Sequence, residues 1–380
     1  MTSTATPVRQ QHRLYEVDLL RFAAALMVVL LHFTFSQGQL EHDFAPALGA
    51  VTQYGYLGVE LFFLISGMVV LMSVWGRTTR EFVASRISRL YPAFWVAVTL
   101  TAATVAIARP PGRNDVTAAQ YVANLSMFPQ LADIEYVESV YWTLWSEWRF
   151  YLILFAFSLL GITERRTHWL LWGWLTTSVA LQVLPVPPAA HAALALIVQP
   201  QFSHYFIAGM ALYLVHRFGF TARLGLLLLA CYANAVKETG SRIDERVADG
   251  QAPILVVAAL VILAIFIVMT LAATGGLRWM RWPVLSELGA MTYPLYLIHF
   301  TLGVVAFNAV VPAVHPWLAL PLVIAAMCGA SWLISAKVED RVRPALHLAI
   351  RRLLRVPPRR MPQQTASTAR AADQATAGRT

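Results

Sequence analysis

The chain has 380 residues, of which 58% are hydrophobic and only 13% are charged, and its mean hydropathy is +0.58. Soluble domains carry about 25% charged residues, so this composition excludes an ordinary soluble protein and predicts an all-α polytopic membrane protein. The net charge of +9 does not indicate a nucleic-acid partner. The basic residues lie in loops between apolar runs and in the C-terminal tail, where membrane orientation requires them, so we expect a lipid bilayer as the partner and no nucleic acid.

Ten apolar runs follow one another along the chain, and most are long enough to cross a hydrocarbon core of about 30 Å. They lie at about 15–35, 54–74, 90–108, 141–160, 168–183, 202–215, 224–236, 253–273, 288–311 and 316–336. The run at 224–236 is the shortest, and a polar stretch follows it from Lys237 to Gln251. The segment 109–140 is predicted to be a loop with room for a short surface helix.

The positions of the Lys and Arg residues predict how these runs are oriented. With the N-terminus inside, most of the 29 basic residues fall on the cytoplasmic side. The outer loops hold Arg109, Arg113, Lys237, Arg242 and Arg246. We therefore predict about ten transmembrane helices, with both termini cytoplasmic, in a multi-pass protein of the cell (inner or plasma) membrane. Its parts are a cytoplasmic N-terminal segment (1–14), a membrane domain (15–336) and a basic cytoplasmic tail (337–380) whose end is expected to be disordered.

The first apolar run carries three ionisable side chains, Asp18, Arg21 and His32. A helix places Arg21 and His32 within about 20° of each other and about 16 Å apart along its axis. Asp18 lies on the same face, one turn before Arg21. A structural explanation exists for each: Arg21 can reach the membrane surface and pair with Asp18, and a lone histidine is commonly a packing residue.

Two further runs place carboxylates within the membrane, where such groups are costly and usually mark a pathway or a site. With the predicted orientation, Glu60 and Glu147 reach the same depth as His32, in the outer half of the bilayer. Tyr151 shares a helix face with Glu147, and His299 is expected near mid-depth. The convergence of these groups at one level favours a functional site over separate structural explanations.

Five stretches occur in a characteristic order along the chain. The first pairs Arg21 with His32, and the others are Gly58–Gly67, Arg86–Pro92, Ser146–Tyr151 and Thr292–His299. Together they resemble the acyltransferase-3 family of integral membrane acyltransferases, the group that includes O-antigen acetylases. The segment Val338–Pro344 is similar to the usual ending of that family.

The resemblance implies that the membrane domain is an acyltransferase domain. It would transfer an acyl group, commonly acetyl, from coenzyme A on the cytoplasmic side to a hydroxyl of a carbohydrate-like acceptor. His32 would act as general base, and Glu147 would orient it or serve as a second acid–base group. Arg86 and Arg89 would bind the phosphates of coenzyme A. Arg21 would lie farther along the path of the pantetheine arm.

Glu60, Tyr151 and His299 complete the expected substrate site. A thioester is already activated, so we expect no metal and no permanently bound cofactor, with acyl-CoA as the donor substrate. Two classes of acceptor are compatible with the sequence, a surface carbohydrate and a secreted glycosylated or macrolide-type molecule. The sequence is also compatible with a homo-oligomer. The alternative function is a proton-coupled secondary transporter or exporter, since intramembrane carboxylates also occur there. No internal repeat supports that alternative.

Overall fold

The computed structural model describes residues 14–35, 45–110, 112–248 and 254–356, and for residues 244–248 it describes the backbone alone. Within these ranges the protein consists of helices and contains no β-strand. The α-helices are α1 Tyr15–Thr34, α2 Pro46–Thr52, α3 Leu57–Val74, α4 Thr79–Ala108, α5 Ala118–Leu125, α6 Trp142–Leu159, α7 Glu164–Val183, α8 Pro188–Val198, α9 Ser203–Phe218, α10 Ala222–Ala248, α11 Leu255–Thr274, α12 Val284–Ile298, α13 Thr301–Val310, α14 Pro316–Ile334 and α15 Asp340–Leu353. Most of the predicted N-terminal segment and the end of the tail lie outside the described residues.

Five helical segments are long and apolar enough to cross a membrane, and the bent pair α12 and α13 would make a sixth. The five are Tyr15–Thr34, Pro46–Val74, Thr79–Ala108, Leu255–Thr274 and Pro316–Leu353. The chain is therefore a multi-pass membrane protein. Nine of the ten predicted runs lie largely within one helix each, and the run at 288–311 contains the bent pair α12 and α13. Length and composition nevertheless qualify at most six spans among the described residues, so the count of ten and the cytoplasmic termini stay predictions.

Helices α3 and α9 cross at very short distance. A Cβ atom built on Gly209 would lie 1.9 Å from the carbonyl oxygen of Leu64, and one built on Gly67 would lie 2.2 Å from that of Phe206. Neither position can therefore hold a side chain, as is usual where membrane helices associate through close packing of small residues. This crossing fixes the position of α3, the helix that carries Glu60.

Helix α1 packs against both α3 and α12. Gly289 of α12 leaves room for Asp18, because a Cβ atom at Gly289 would lie 2.6 Å from Asp18 Oδ1. Asp18 Oδ1 in turn lies 3.6 Å from Arg21 Nη1, one turn along α1. The charged end of α1 is thus directed towards α12.

Helices α12 and α13 meet at an angle of 80° across His299 and Phe300. A broken helix within a membrane has backbone groups that need other partners. The amide of Thr301 donates to Glu138 Oε2 at 3.0 Å, and Glu138 Oε1 lies 3.6 Å from Arg113 Nη1. Buried Glu138 therefore caps the N-terminus of α13, where a carboxylate is favourable.

Helix α10 is longer than the sequence pattern indicates. We expected a short crossing followed by a polar loop, but one helix covers Ala222–Ala248. Its polar residues find partners on neighbouring helices: Lys237 Nζ donates to Gln182 Oε1 at 2.8 Å, and Arg242 Nη1 donates to Glu60 Oε1 at 2.6 Å. Because these side chains are paired, the helix continues through them, and the predicted loop is wrong over most of its length.

Candidate active site

Five helices, α1, α3, α4, α6 and α12, enclose a cavity of about 100 Å³, which we call the arginine cavity. Its polar lining residues are Arg21, Ser66, Arg86, Arg89, Thr143, Glu147, Tyr151, Thr292, Tyr293 and Tyr296. The cavity thus brings together residues from the first, second, third, fourth and ninth predicted runs. Five of the eight residues singled out in the sequence line it, namely Arg21, Arg86, Arg89, Glu147 and Tyr151.

A capping box fixes the first turn of α4, the helix that carries Arg86 and Arg89. Thr78 and Glu81 form a capping box, in which the Glu81 amide donates to Thr78 Oγ1 at 3.3 Å and the Thr78 amide donates to Glu81 Oε2 at 3.2 Å. Such a cap satisfies two backbone amides at once and fixes the first turn. Arg86 and Arg89, three residues apart on the same helix face, then both line the cavity.

Arg86 is buried, and its guanidinium group lies over two aromatic rings, 5.9 Å from the centre of Phe82 and 5.8 Å from that of Tyr151. Neither Arg86 nor Arg89 lies within 4.0 Å of a carboxylate among the described residues. Within the same part of the chain, Nε of Arg86 is buried without a hydrogen-bond partner. Guanidinium groups that lack close counter-ions favour an anionic ligand, and phosphate matches their geometry.

Glu147 forms part of the cavity wall and is half-buried. Ser66 Oγ donates to Glu147 Oε1 at 3.0 Å, and the hydroxyl of Tyr151, one turn along α6, donates to the same oxygen. Arg21 and Arg86 both lie within electrostatic range of this carboxyl group. Glu147 is therefore held by two neutral donors and faces positive charge.

His32 and His299 form a hydrogen-bonded pair next to Tyr296. Nδ1 of His32 lies 3.0 Å from Nε2 of His299, and Nδ1 of His299 lies 2.8 Å from the Tyr296 carbonyl oxygen. A carbonyl oxygen only accepts, so Nδ1 of His299 carries a hydrogen, and its Nε2 accepts from His32 Nδ1 when both rings are neutral. A neutral imidazole carries one N–H, and in His32 this is Nδ1–H, so the lone pair of His32 lies on Nε2. The bend between α12 and α13 makes this contact possible, because His299 lies at the break.

Glu60, Glu147 and His32, which the sequence predicts to lie at one depth, have separate partners in the structure. Glu60 is buried, is bonded to Arg242 and is absent from the lining of the arginine cavity. His32 is bonded to His299, whereas the described partners of Glu147 are a serine and a tyrosine. Depth along a helix follows from sequence spacing, but rotation relative to the neighbouring helix does not.

Five polar residues of the cavity were not singled out in the sequence, and two of them, Ser66 and Tyr296, are hydrogen-bonded to Glu147 and His299. Both lie in the family-like stretches Gly58–Gly67 and Thr292–His299. A serine or tyrosine within an apolar run carries no charge that would distinguish it. Tyr296 precedes His299 by three residues, so helix geometry alone would have indicated that the two are neighbours.

Comparison with known proteins identifies the family of this chain. A family model described as an acyltransferase domain matches residues 14–336. The acyltransferase MdmB of Streptomyces mycarofaciens is 26% identical over 321 residues, which cover 76% of this chain and 78% of that protein. No solved structure matches the chain at a significant level. Because the family model covers most of the chain, this protein belongs to the acyltransferase-3 family.

Proposed function

We propose that this protein is an O-acyltransferase of the cell (inner or plasma) membrane that takes an acyl group, acetyl in the first instance, from cytoplasmic acyl-CoA. The acceptor would be a hydroxyl of a carbohydrate or of a glycosylated or macrolide-type molecule. The observation that carries the proposal is the hydrogen-bonded chain from Tyr296 through His299 to His32, because Tyr296 also lines the arginine cavity. Membership of an acyltransferase family supports it.

The arginine cavity suits the acyl-CoA donor. Coenzyme A carries several phosphate groups, and Arg86 and Arg89 can form paired hydrogen bonds to phosphate oxygens. Arg21 lines the same cavity from α1. A volume of about 100 Å³ can hold part of the narrow pantetheine arm but not the nucleotide, so the nucleotide half of the donor would remain outside it.

His32 is the proposed general base. Its Nε2 takes the proton from the acceptor hydroxyl while the oxygen attacks the carbonyl carbon of the thioester. A new C–O bond forms and the C–S bond breaks. The electron pair of the C–S bond stays on sulfur, so coenzyme A leaves as a thiolate. The bond from His32 Nδ1 to His299 Nε2 stabilises the positive charge that develops on His32, the part that an orienting group has in other acyl-transfer enzymes.

Glu147 is the proposed second acid–base group. It lies in the arginine cavity, on the proposed path of the thioester, and its described contacts do not include His32. As a carboxylate it can accept the proton held on His32 through water and pass it to the thiolate sulfur of the departing coenzyme A. The acceptor proton thus ends on the thiol, and both groups end the cycle as they began it. Ser66 and Tyr151 hold the carboxyl group in position.

Turnover by purified protein in detergent tests this proposal. Thiol release from acetyl-CoA and the mass of the acetylated product would be measured with methyl glucoside and with a macrolide as acceptors. We expect the unmodified protein to transfer acetyl groups, and His32→Ala and Glu147→Ala each to lower kcat by at least 100-fold, the scale of acid–base catalysis. His191→Ala, on an exposed part of α8, is the matched control and should leave kcat unchanged.

The outcomes test the roles of His32 and Glu147 separately from the proposed function itself. Gel filtration and melting temperature must show that the variants are folded. Full activity of either purified variant would remove that residue from the mechanism. Failure of the unmodified protein to transfer any acyl group from acetyl-CoA would overturn the proposed function and would favour a transporter, which requires two compartments to work.

A further inference from the structure

Helices α14 and α15 form one helical segment of 38 residues, Pro316–Leu353. At 1.5 Å per residue this segment is about 57 Å long, whereas a hydrocarbon core is about 30 Å thick, so α15 extends beyond the membrane. A π-helical turn at Ser335–Glu339 joins the two helices. Such turns are frequent at functional sites. Helix α15 packs against α4, which carries the two cavity arginines.

Two hydrogen bonds join α15 and the residues after it to α4. Ser88 Oγ and His347 Nδ1 are 3.1 Å apart, and Arg80 Nη1 donates to the carbonyl oxygen of Arg355 at 3.4 Å. Between the two helices lies a cleft of about 400 Å³. Ser85, Ser88, Pro344 and His347 line it together with six charged residues, which are Arg77, Glu81, Glu339, Asp340, Arg343 and Arg351. This cleft is large enough for groups that the arginine cavity cannot hold.

Arg343 brings a guanidinium group of this cleft close to the arginines of the arginine cavity. Arg343 lies within electrostatic range of Arg86 and Arg89. Among the described residues, no carboxylate lies within 4.0 Å of any of these three guanidinium groups. Glu339 and Asp340 offset part of the charge at longer range. Like charges that face one another without close counter-ions favour a polyanion that bridges them.

We propose that α15 forms the second half of the donor site. Arg343, together with Arg86 and Arg89, binds the phosphates of acyl-CoA, and the nucleotide occupies the cleft between α4 and α15 while the pantetheine arm enters the arginine cavity. This inference rests on the proposed use of acyl-CoA. The buried Nε of Arg86, which has no described hydrogen-bond partner, fits a phosphate that reaches both cavities. The donor site would thus include a helix beyond the family match at residues 14–336.

The test compares Arg343→Gln with Arg341→Gln in the full chain, purified in detergent. Both variants remove one charge from α15, but Arg341 lines neither cavity. We expect Arg343→Gln to raise the KM for acetyl-CoA about tenfold and to keep kcat within twofold, as the loss of one charged hydrogen bond predicts. Arg341→Gln should leave both constants unchanged. Arg343→Lys should give an intermediate KM, because lysine keeps the charge but not the paired donors.

Substrate fragments show which part of the donor is bound. S-acetylpantetheine lacks the nucleotide and the phosphates, so Arg343→Gln should use it as well as the unmodified protein does. Adenosine 3′,5′-bisphosphate should compete with acetyl-CoA, about tenfold less well in Arg343→Gln. Glycerol 1-phosphate, which represents a lipid headgroup, should not compete.

Three results would overturn the role of α15 and leave the proposed function intact. These are an unchanged KM in Arg343→Gln, an equal loss of activity with S-acetylpantetheine, and equal competition by glycerol 1-phosphate and the nucleotide. Absence of acetyl transfer from acetyl-CoA by the unmodified protein would instead overturn both proposals.

Discussion

Replacing His299 tests the hydrogen-bonded chain directly. The residue is buried, with Nε2 at 3.0 Å from His32 Nδ1 and Nδ1 at 2.8 Å from the Tyr296 carbonyl oxygen. Phenylalanine fills a similar volume but removes both hydrogen bonds, whereas glutamine retains one acceptor and one donor. We expect His299→Phe to lower kcat between about 10-fold and 100-fold, and His299→Gln to lower it by less than about tenfold.

The size of the effect follows from the charge that His32 acquires. As His32 takes the proton, its bond to His299 becomes a hydrogen bond from a charged group, and such bonds contribute about 1.5–3 kcal/mol. Each 1.36 kcal/mol added to the barrier lowers the rate about tenfold. The bond strengthens only as the proton is transferred, so the loss should appear in kcat and leave the KM for acetyl-CoA nearly unchanged.

The assay is thiol release at saturating acetyl-CoA and acceptor, with gel filtration and melting temperature as checks on folding. His191→Gln, on the exposed side of α8, controls for the loss of a histidine elsewhere. The reasoning is refuted if His299→Phe keeps more than half of the kcat of the unmodified protein, or if His299→Gln is as slow as His299→Phe. A change confined to the KM for acetyl-CoA would place His299 in donor binding instead.

Three further predictions concern the donor, a buried ion pair and a helix crossing. Arg89→Ala should raise the KM for acetyl-CoA more than the KM for the acceptor in steady-state kinetics. A larger rise in the KM for the acceptor would instead place the acceptor next to Arg89. Arg242→Met leaves Glu60 buried without its cation and should destabilise the protein by about 3–5 kcal/mol, which an unchanged melting temperature would contradict. Gly209→Leu should abolish the monodisperse gel-filtration peak, because its side chain would overlap α3. Gly173→Leu, where a Cβ atom meets nothing within 4 Å, should retain that peak.

The helices could be predicted because an apolar run is a local signal. Nine of the ten runs lie largely within one helix each, and the first apolar run begins at the first residue of α1, Tyr15. The family was equally accessible, since stretches such as Arg86–Pro92 are continuous in sequence. The match over residues 14–336 confirms that resemblance. The polar part of α10 was missed because its side chains are paired with other helices, which a run of polar letters does not reveal.

The contacts of the site depend on separations that local patterns do not encode. His32 and His299 are 267 positions apart, and Glu60 and Arg242 are 182 positions apart. Helical spacing gives the depth and face of each residue but not the rotation of one helix relative to another. The break near Phe300 also gave no signal, because neither of the two joining residues is the proline or glycine that commonly marks a kink.

The pairing of the first helix with a late one has a consequence for biosynthesis. At 5–20 residues per second, synthesis of the 267 positions between His32 and His299 takes roughly 13–53 s. During that interval α1 has its own Asp18–Arg21 pair, but the late partner of its histidine does not yet exist. Polar side chains are costly in lipid, so α1 must spend this time against water, headgroups or the insertion machinery. A chain released before α12 and the residues after it are made would therefore contain a first span whose histidine lacks its partner His299.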